Sequence, residues 1–213
     1  MIKSRGGITK DHFEEAKEFA YGFLDRLDKG YFYHGKHHTE KFVLPYTLKI
    51  AKKEGFSEEE QYLVGIAALF HDTGFVKRYN KNEPIGAKFA EEYMKKSKFI
   101  YTGRHVKLVK KAIFNTNMKG EPPSEYAKVL RDADLIYLGF SFRKFMKVME
   151  DLRREALYHK DSYYHKFAKR KKEWYRNSIK FLKSQRWFTS YSKKMFGKSK
   201  ERNLVKLRKL AYS

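Results

Sequence analysis

Residues 58–72 limit the possible folds of this chain more than any other segment. Ser57 and Glu60 have the spacing of a capping box, which predicts that a helix begins there. The centre of this helix is apolar on nearly every face, whereas a surface helix keeps one polar side. A helix of this kind has to lie inside the core, so other elements must surround it.

The spacing of apolar residues indicates further helices on both sides of this segment. The predicted helices cover residues 9–28, 37–53, 58–72, 85–96, 104–115, 124–135, 142–158 and 163–182, with a short final helix from Glu201. Pro45 falls inside the second helix, where it predicts a kink. No stretch alternates between apolar and polar residues as a strand does, so the sequence predicts an all-α fold.

The distribution of charge divides the chain near Ser141. The net charge is +23, and residues 141–213 contain 23 Lys and Arg against 6 Asp and Glu. A positive field of this size attracts polyanions, such as nucleic acid, nucleotides or an acidic membrane surface. Helices with a solvated lysine face are the alternative explanation. We expect residues 1–140 to form a helical core, and the basic residues 141–213 to pack on the same domain.

The absence of cysteine restricts the chemistry. It excludes disulfide bonds and thiolate metal sites. Any metal must then be held by imidazole and carboxylate groups, which suit Mn, Mg, Fe, Co, Ni or Zn. Residues 1–7 contain no apolar signal region, and no run approaches the roughly 18 apolar residues of a membrane span. We therefore expect a soluble, cytoplasmic protein that does not enter the membrane.

Three short motifs carry candidate metal ligands. His71 and Asp72 end the very apolar helix, where burying both groups is costly unless something binds them. His34 and His38 are four residues apart, so they share a face if the segment is helical, although a surface loop can also contain such a pair. Two acids, at positions 132 and 134, interrupt an apolar helix, where a capping or salt-bridge role is the alternative. A divalent metal would account for all three motifs together.

In this order, the motifs resemble those of the HD superfamily of metal-dependent phosphohydrolases. The resemblance is closest to a group of predicted HD phosphohydrolases and covers about residues 31–207. The matching segments are residues 33–39 (YHGKHHT), 70–72 (FHD), 82–83 (NE), 132–139 (DADLIYLG) and 187–189 (WFT). The fold that this resemblance implies is an HD-domain helical bundle, here with a basic helical C-terminal extension.

The resemblance implies one divalent metal ion held by four ligands. These are His38, His71, Asp72 and Asp134, with Asp132 as a substitute ligand or a residue that supports one. Two imidazoles and two carboxylates leave positions on an octahedral metal for water and a phosphate oxygen. The implied activity is hydrolysis of a phosphate ester or anhydride in a nucleotide-like small molecule, an anionic substrate, by metal-activated water.

The same resemblance suggests two catalytic residues and two substrate contacts. Glu83 is the candidate base or water-orienting residue, although a glutamate in a first helical turn is also favoured by the helix dipole. His34 is the candidate acid for the leaving group, or a phosphate contact. Lys77 and Arg78 follow the site closely and are candidates for neutralising phosphate. Their alternative role is that of ordinary surface residues.

Two positions depart from patterns within the superfamily. Many HD nucleotidases have a glutamate where this chain has Phe75, so that base is missing. HD enzymes with two irons have additional histidines, for which His105 is the single candidate here. We therefore expect one metal ion, and the missing histidines count against an oxygenase.

The basic C-terminal third supports a second hypothesis. Residues 169–172 are a basic cluster, and aromatic residues interleave with it at positions 163, 164, 174 and 175. This pattern is typical of a nucleic-acid-binding protein, in which the HD site would be structural or vestigial. It is also typical of a helix with one packed aromatic face and one solvated lysine face, which is the interpretation that we favour. The complete set of four ligands favours the phosphohydrolase over the nucleic-acid-binding protein.

Overall fold

The computed structural model describes residues 7–117 and 120–213, which form helices and no β-strand. The all-α prediction is confirmed. The α-helices are Lys10–Leu24 (α1), Lys36–His38 (α2), Leu44–Lys53 (α3), Glu58–Phe70 (α4), Glu83–Lys96 (α5), Gly103–Phe114 (α6), Glu125–Asp134 (α7), Phe142–Tyr158 (α8), His165–Ala168 (α9), Lys171–Ser184 (α10) and Ser190–Tyr212 (α11). A π-helix, Thr39–Val43, joins α2 to α3, and 3-10 helices cover Thr73–Val76, Asn115–Asn117 and Ile136–Gly139.

Helix α4 lies at the centre of the larger hydrophobic core, as its composition predicts. Every residue from Leu63 to Phe70 is buried, and helices α1, α3, α5, α6 and α7 all contact α4. The predicted capping box is present, because the Glu60 amide donates to Ser57 Oγ at 3.3 Å and the Ser57 amide donates to Glu60 Oε2 at 2.9 Å. The C-terminal end of α4 therefore holds His71 and Asp72 in the interior of the bundle.

A π-helix precedes α3 near Pro45, where the sequence predicts a kink. Pro45 lies in the first turn of α3. Proline has no amide hydrogen, and its ring clashes with the carbonyl four residues earlier in a regular helix. The wider π-turn relieves this conflict, and it places His38 at the junction between α2 and the π-helix.

The C-terminal third packs on the rest of the chain through a second hydrophobic cluster. This cluster joins residues of α8, α10 and α11 to Tyr33, Leu135, Tyr137 and Leu138. Across the same contact, the Asn203 side-chain amide donates to the carbonyls of Leu138 and Phe140, both at 2.9 Å. These contacts support one continuous domain, while the division at residue 140 stays a prediction.

The last two predicted helices differ from the observed ones. The predicted helix over residues 163–182 is divided into α9 and α10 by a break at Lys169 and Arg170, and α11 begins at Ser190 rather than Glu201. Serine and glycine are common in the first half of α11, so its helix propensity is low. A local cap and a tertiary contact compensate, because Thr189 caps the helix and Phe196 packs directly on Gly139.

The basic residues of the C-terminal third lie mostly on its solvent side. Lys171 and Lys172 are exposed, whereas Trp174 and Tyr175 are buried in the second cluster. Those two aromatic residues therefore form the packed face of α10. Tyr163 differs, since 66% of its surface is exposed. Over the described part of the chain, no helix combines the length and apolar character needed to cross a membrane.

Candidate metal centre

Four predicted ligands from three helical segments come together in the structure. His38 is the last residue of α2, His71 and Asp72 follow α4, and Asp134 is the last residue of α7. All four are buried, with 1%, 1%, 5% and 9% of their surfaces exposed. The C-terminal ends of α4 and α7 carry partial negative charge, so the positions of His71, Asp72 and Asp134 favour a cation.

The side chains of these four residues converge on one point. His38 Nε2 lies 3.2 Å from Asp134 Oδ1 and 3.8 Å from Asp72 Oδ2. His71 Nε2 lies 3.1 Å from Asp72 Oδ2 and 3.6 Å from Asp134 Oδ1. Ligand atoms of His38, His71 and Asp72 all lie within 4.8 Å of one another, and Asp134 faces both imidazoles. This spacing suits ligands around a single ion.

The hydrogen bonding of the cluster is incomplete without a cation. His71 Nε2 and Asp72 Oδ2 are buried and make no hydrogen bond. Unpaired buried polar atoms are costly, so each needs a partner. His71 Nδ1 lies 2.7 Å from the Ala68 carbonyl and donates to it, so Nε2 is the ring nitrogen that faces the carboxylates. The group is therefore able to hold a divalent metal, and its nitrogen and oxygen atoms suit several metals.

The charges within the cluster are strongly coupled. Burial lowers the pKa of His38. Burial acts on His71 in the same direction, but the carboxylates of Asp72 and Asp134 outweigh it and raise the pKa of His71. Burial opposes ionisation of Asp134, whereas the adjacent imidazoles of His38 and His71 lower its pKa below the usual range. The site as a whole attracts positive charge, which a metal ion would supply.

A cavity of about 280 Å³ reaches the cluster, and Asp72 and Asp134 line it. Part of the cavity wall comes from α8 and α10, which follow the predicted helical core of residues 1–140 in the sequence. We call this part the facing wall. The apolar and aromatic residues that line the cavity include Tyr33, Phe75, Tyr137, Met149, Leu152, Trp174 and Phe181. Four amide side chains also line it, those of Asn80, Asn82, Asn117 and Asn177. The cavity therefore combines carboxylates, flat apolar surfaces and hydrogen-bonding groups.

The structure brings both predicted catalytic residues to this cavity. His34 and Glu83 line it together with Asp72 and Asp134. Glu83 is the first residue of α5, and burial raises its pKa. This position agrees with a base and also with a glutamate placed by the helix dipole. The catalytic roles of both residues stay predictions.

Lys77 and Arg78 lie elsewhere. Both side chains are exposed and are not among the residues that line the cavity, and Arg78 Nε donates to the Lys81 carbonyl at 3.0 Å. Lys81 is the lysine that lines the cavity. Its φ angle of 56° is unusual for a residue with a side chain and places it in a tight turn before α5.

Glu155 is a residue that the sequence analysis missed. Its carboxylate is completely buried and forms an ion pair with His34. Burial opposes protonation of His34, but Glu155 outweighs this effect and raises the pKa of His34 to about 9. A signal was present, because position 155 continues the apolar stripe of α8 that contains Phe145, Val148 and Leu152. A carboxylate on the core face of an amphipathic helix requires a buried partner.

Asp132 and His105 lie outside the cluster. The Asp132 carboxylate accepts hydrogen bonds from the Thr189 amide at 2.9 Å and the Thr189 hydroxyl at 2.6 Å, so it fixes the start of α11. His105 lies 3.6 Å from Glu59, in the first turn of α6. Within residues 7–117 and 120–213, the group of His38, His71 and Asp72 is the single set of three or more such ligands found.

Comparison with known families agrees with this geometry. Residues 38–137 match the family model described as HD domain. The match begins at His38 and includes His71, Asp72 and Asp134. The chain matches no curated protein and no solved structure. Residues 38–137 therefore form an HD domain, a type of domain that generally occurs in metal-dependent hydrolases.

Proposed function

We propose that this protein hydrolyses a phosphate ester or anhydride bond in a nucleotide-like small molecule. The metal site would be a single divalent ion held by His38, His71, Asp72 and Asp134. The observation that carries the proposal is the buried cluster itself, with unpaired atoms on His71 and Asp72, at a cavity large enough for a small molecule.

The residues around the cluster suit the proton transfers of hydrolysis. When bound, a divalent ion lowers the pKa of water and withdraws charge from phosphoryl oxygens. Glu83 would accept a proton from the attacking water, which its position in the cavity lining and its raised pKa support. His34 stays protonated at neutral pH because of Glu155, so it would donate a proton to the leaving oxygen.

The cavity wall supports a substrate with a flat, polar ring system. Trp174 and Phe181 provide apolar surface on α10, and Asn177 on the same helix provides hydrogen-bonding groups. Planar heterocycles need both kinds of contact. The net charge of +23 would attract an anionic substrate such as a nucleotide toward the protein.

Metal content and phosphate release test the proposal together. Wild type should contain about one equivalent of divalent metal and release phosphate from at least one compound in a nucleotide panel when Mn²⁺ is added. Asp72→Asn should lose most of the metal and at least about 100-fold of the activity, because it removes a ligand. Elemental analysis and a phosphate assay measure the two effects.

Asp25→Asn is the matched control, since Asp25 is 57% exposed and pairs with Lys36 outside the cavity. It should retain metal and activity. Equal metal content in Asp72→Asn and wild type would contradict the proposed site. No phosphate release at any pH or with any added metal would contradict the enzyme, and would leave nucleic-acid binding by the basic C-terminal third as the function to examine.

A further inference from the structure

Glu155 occupies an unusual position for a carboxylate. None of its surface is exposed, and it lies on α8, 18 residues beyond the end of the HD domain match at residue 137. Burying a charged carboxylate is costly unless hydrogen bonds and an opposite charge compensate for it. Within the described residues no lysine or arginine forms an ion pair with Glu155, and His34 is its ion-pair partner.

Four donors surround the two oxygens of Glu155. Oε2 accepts the backbone amides of Tyr33 at 2.8 Å and His34 at 3.0 Å. Oε1 accepts the hydroxyl of Tyr79 at 3.0 Å and is hydrogen-bonded to His34 Nδ1. A carboxylate with four donors is satisfied as an ion, because the ionised group only accepts hydrogen bonds. Glu155 therefore fixes both the backbone and the ring of His34.

The contact with Glu155 also determines which ring nitrogen of His34 is available to a molecule bound in the cavity. Nδ1 is engaged by Glu155, and the ring packs 4.8 Å from Phe75 and 5.8 Å from His38, measured between ring centroids. His34 lines the cavity, and 23% of its side chain is exposed. The Nε2 edge makes no hydrogen bond with any described residue, which leaves it free for a group bound in the cavity.

We propose that Glu155 is a positioning residue that holds His34 in place for proton transfer to the leaving group in the cavity. This inference rests on the proposed phosphohydrolase function. It assigns part of the reaction machinery to a helix outside the HD domain match, because a carboxylate from α8 orients a histidine that precedes α2. A purely structural Glu155 would stabilise the loop before α2 without acting through the imidazole.

A double-mutant cycle distinguishes these two roles. Glu155→Gln keeps the size of the side chain and an oxygen for the two backbone amides, but it removes the charge facing the imidazole. We expect a fall of roughly 10- to 100-fold in kcat, with KM within about twofold, since correct general acid catalysis contributes about 10²- to 10⁴-fold. In a His34→Asn background, the same substitution should change kcat by less than about twofold, because the effects of coupled residues do not add.

Glu150→Gln is the matched control on the same helix, where the side chain is 43% exposed. It should leave kcat unchanged in both backgrounds. Fully additive effects of Glu155→Gln and His34→Asn would overturn the proposal, as would an unchanged kcat in Glu155→Gln. If Glu155→Gln does not fold, Tyr79→Phe replaces it in the cycle, since it removes one donor to the same oxygen and keeps the charge. The same non-additive pattern is expected, with a smaller loss.

A second measurement does not depend on turnover. In the wild-type protein, proton NMR should show a downfield signal for His34 Nδ1–H, which is absent in His34→Asn. In Glu155→Gln this signal should move upfield or disappear, while metal content stays at the wild-type level. No such signal in wild type would overturn the proposed geometry. If the signal behaves as expected but no phosphate compound is hydrolysed, the assigned reaction fails while the contact between the two residues stands.

Discussion

At the scale of single residues, His34 and Glu155 both stabilise the fold, and they lose this effect at opposite ends of the pH range. Burial opposes ionisation of Glu155, but His34 and two backbone amides outweigh it and lower its pKa to about 2. The pKa of His34 rises to about 9. Stability from Glu155 is present above about pH 4.5 and is lost as the pH falls toward 2, whereas stability from His34 is present below about pH 6.5 and is lost as the pH rises toward 9.

The ion pair should therefore stabilise the fold most between about pH 4.5 and 6.5. The difference in unfolding free energy between wild type and Glu155→Gln should be largest in that range and decrease on both sides. Urea unfolding at a series of pH values measures it, with Glu150→Gln as the control for loss of an exposed charge. A difference that does not vary with pH would contradict the assigned ion pair.

Some site residues were predictable from local sequence, and others were not. His71 and Asp72 stand out because they end an apolar helix, which requires no knowledge of distant contacts. Asp132 and Asp134 are separated by one residue, so sequence alone leaves either as a ligand, and packing decides that Asp134 faces the histidines while Asp132 holds Thr189. Glu155 contacts a histidine 121 positions earlier, and no local pattern could predict that contact.

At the scale of elements, α5 packs very closely against the end of α4. A Cβ added to Gly86 would lie 2.6 Å from the Phe70 carbonyl oxygen and 3.1 Å from the His71 carbonyl oxygen. Both carbonyls belong to backbone beside the ligands, which has little freedom to move. Glycine at this position therefore sets the distance between α5 and the metal cluster.

Gly86→Ala should destabilise the protein by about 1–3 kcal/mol, because an extra methyl group forces the two helices apart. It should also weaken metal binding, because His71 would move with its backbone. Gly22→Ala is the control, since Gly22 is exposed on α1 and no atom lies within 4 Å of an added Cβ. That variant should gain about 0.5–1 kcal/mol from helix propensity. Urea unfolding and metal analysis measure both effects, and equal stability of the two variants would contradict this account.

The helices themselves were predictable where local signals and packing agree. The bounds of α8 match the prediction, because its apolar stripe is regular and both ends are clear. The start of α11 was predicted 11 residues too late, since three serines and a glycine between Ser190 and Lys200 weaken the helix signal, and contacts with Gly139 and Asp132 support this half of the helix. Sequence periodicity cannot reveal such distant support.

At the scale of the whole molecule, the two hydrophobic clusters should unfold together. Leu135, Tyr137 and Leu138 end the helical core in sequence but are buried in the cluster formed by α8, α10 and α11. The full chain should melt in one cooperative transition. A chain ending at residue 140 should lack that transition and bind a hydrophobic dye, because these side chains would be exposed to water. Calorimetry and dye fluorescence test this, and a cooperative, metal-binding truncated chain would contradict it.

The metal ligands and one wall of the cavity come from different helices, which has a consequence for how this protein can evolve. The metal ligands end α2, follow α4 and end α7, whereas Trp174, Asn177 and Phe181 of the facing wall belong to α10. Mutations in the short stretch of gene that encodes α10 can change the shape of the cavity while the ligands stay intact. Descendants of one ancestral gene could thus inherit the same bond-breaking chemistry and still come to act on different molecules.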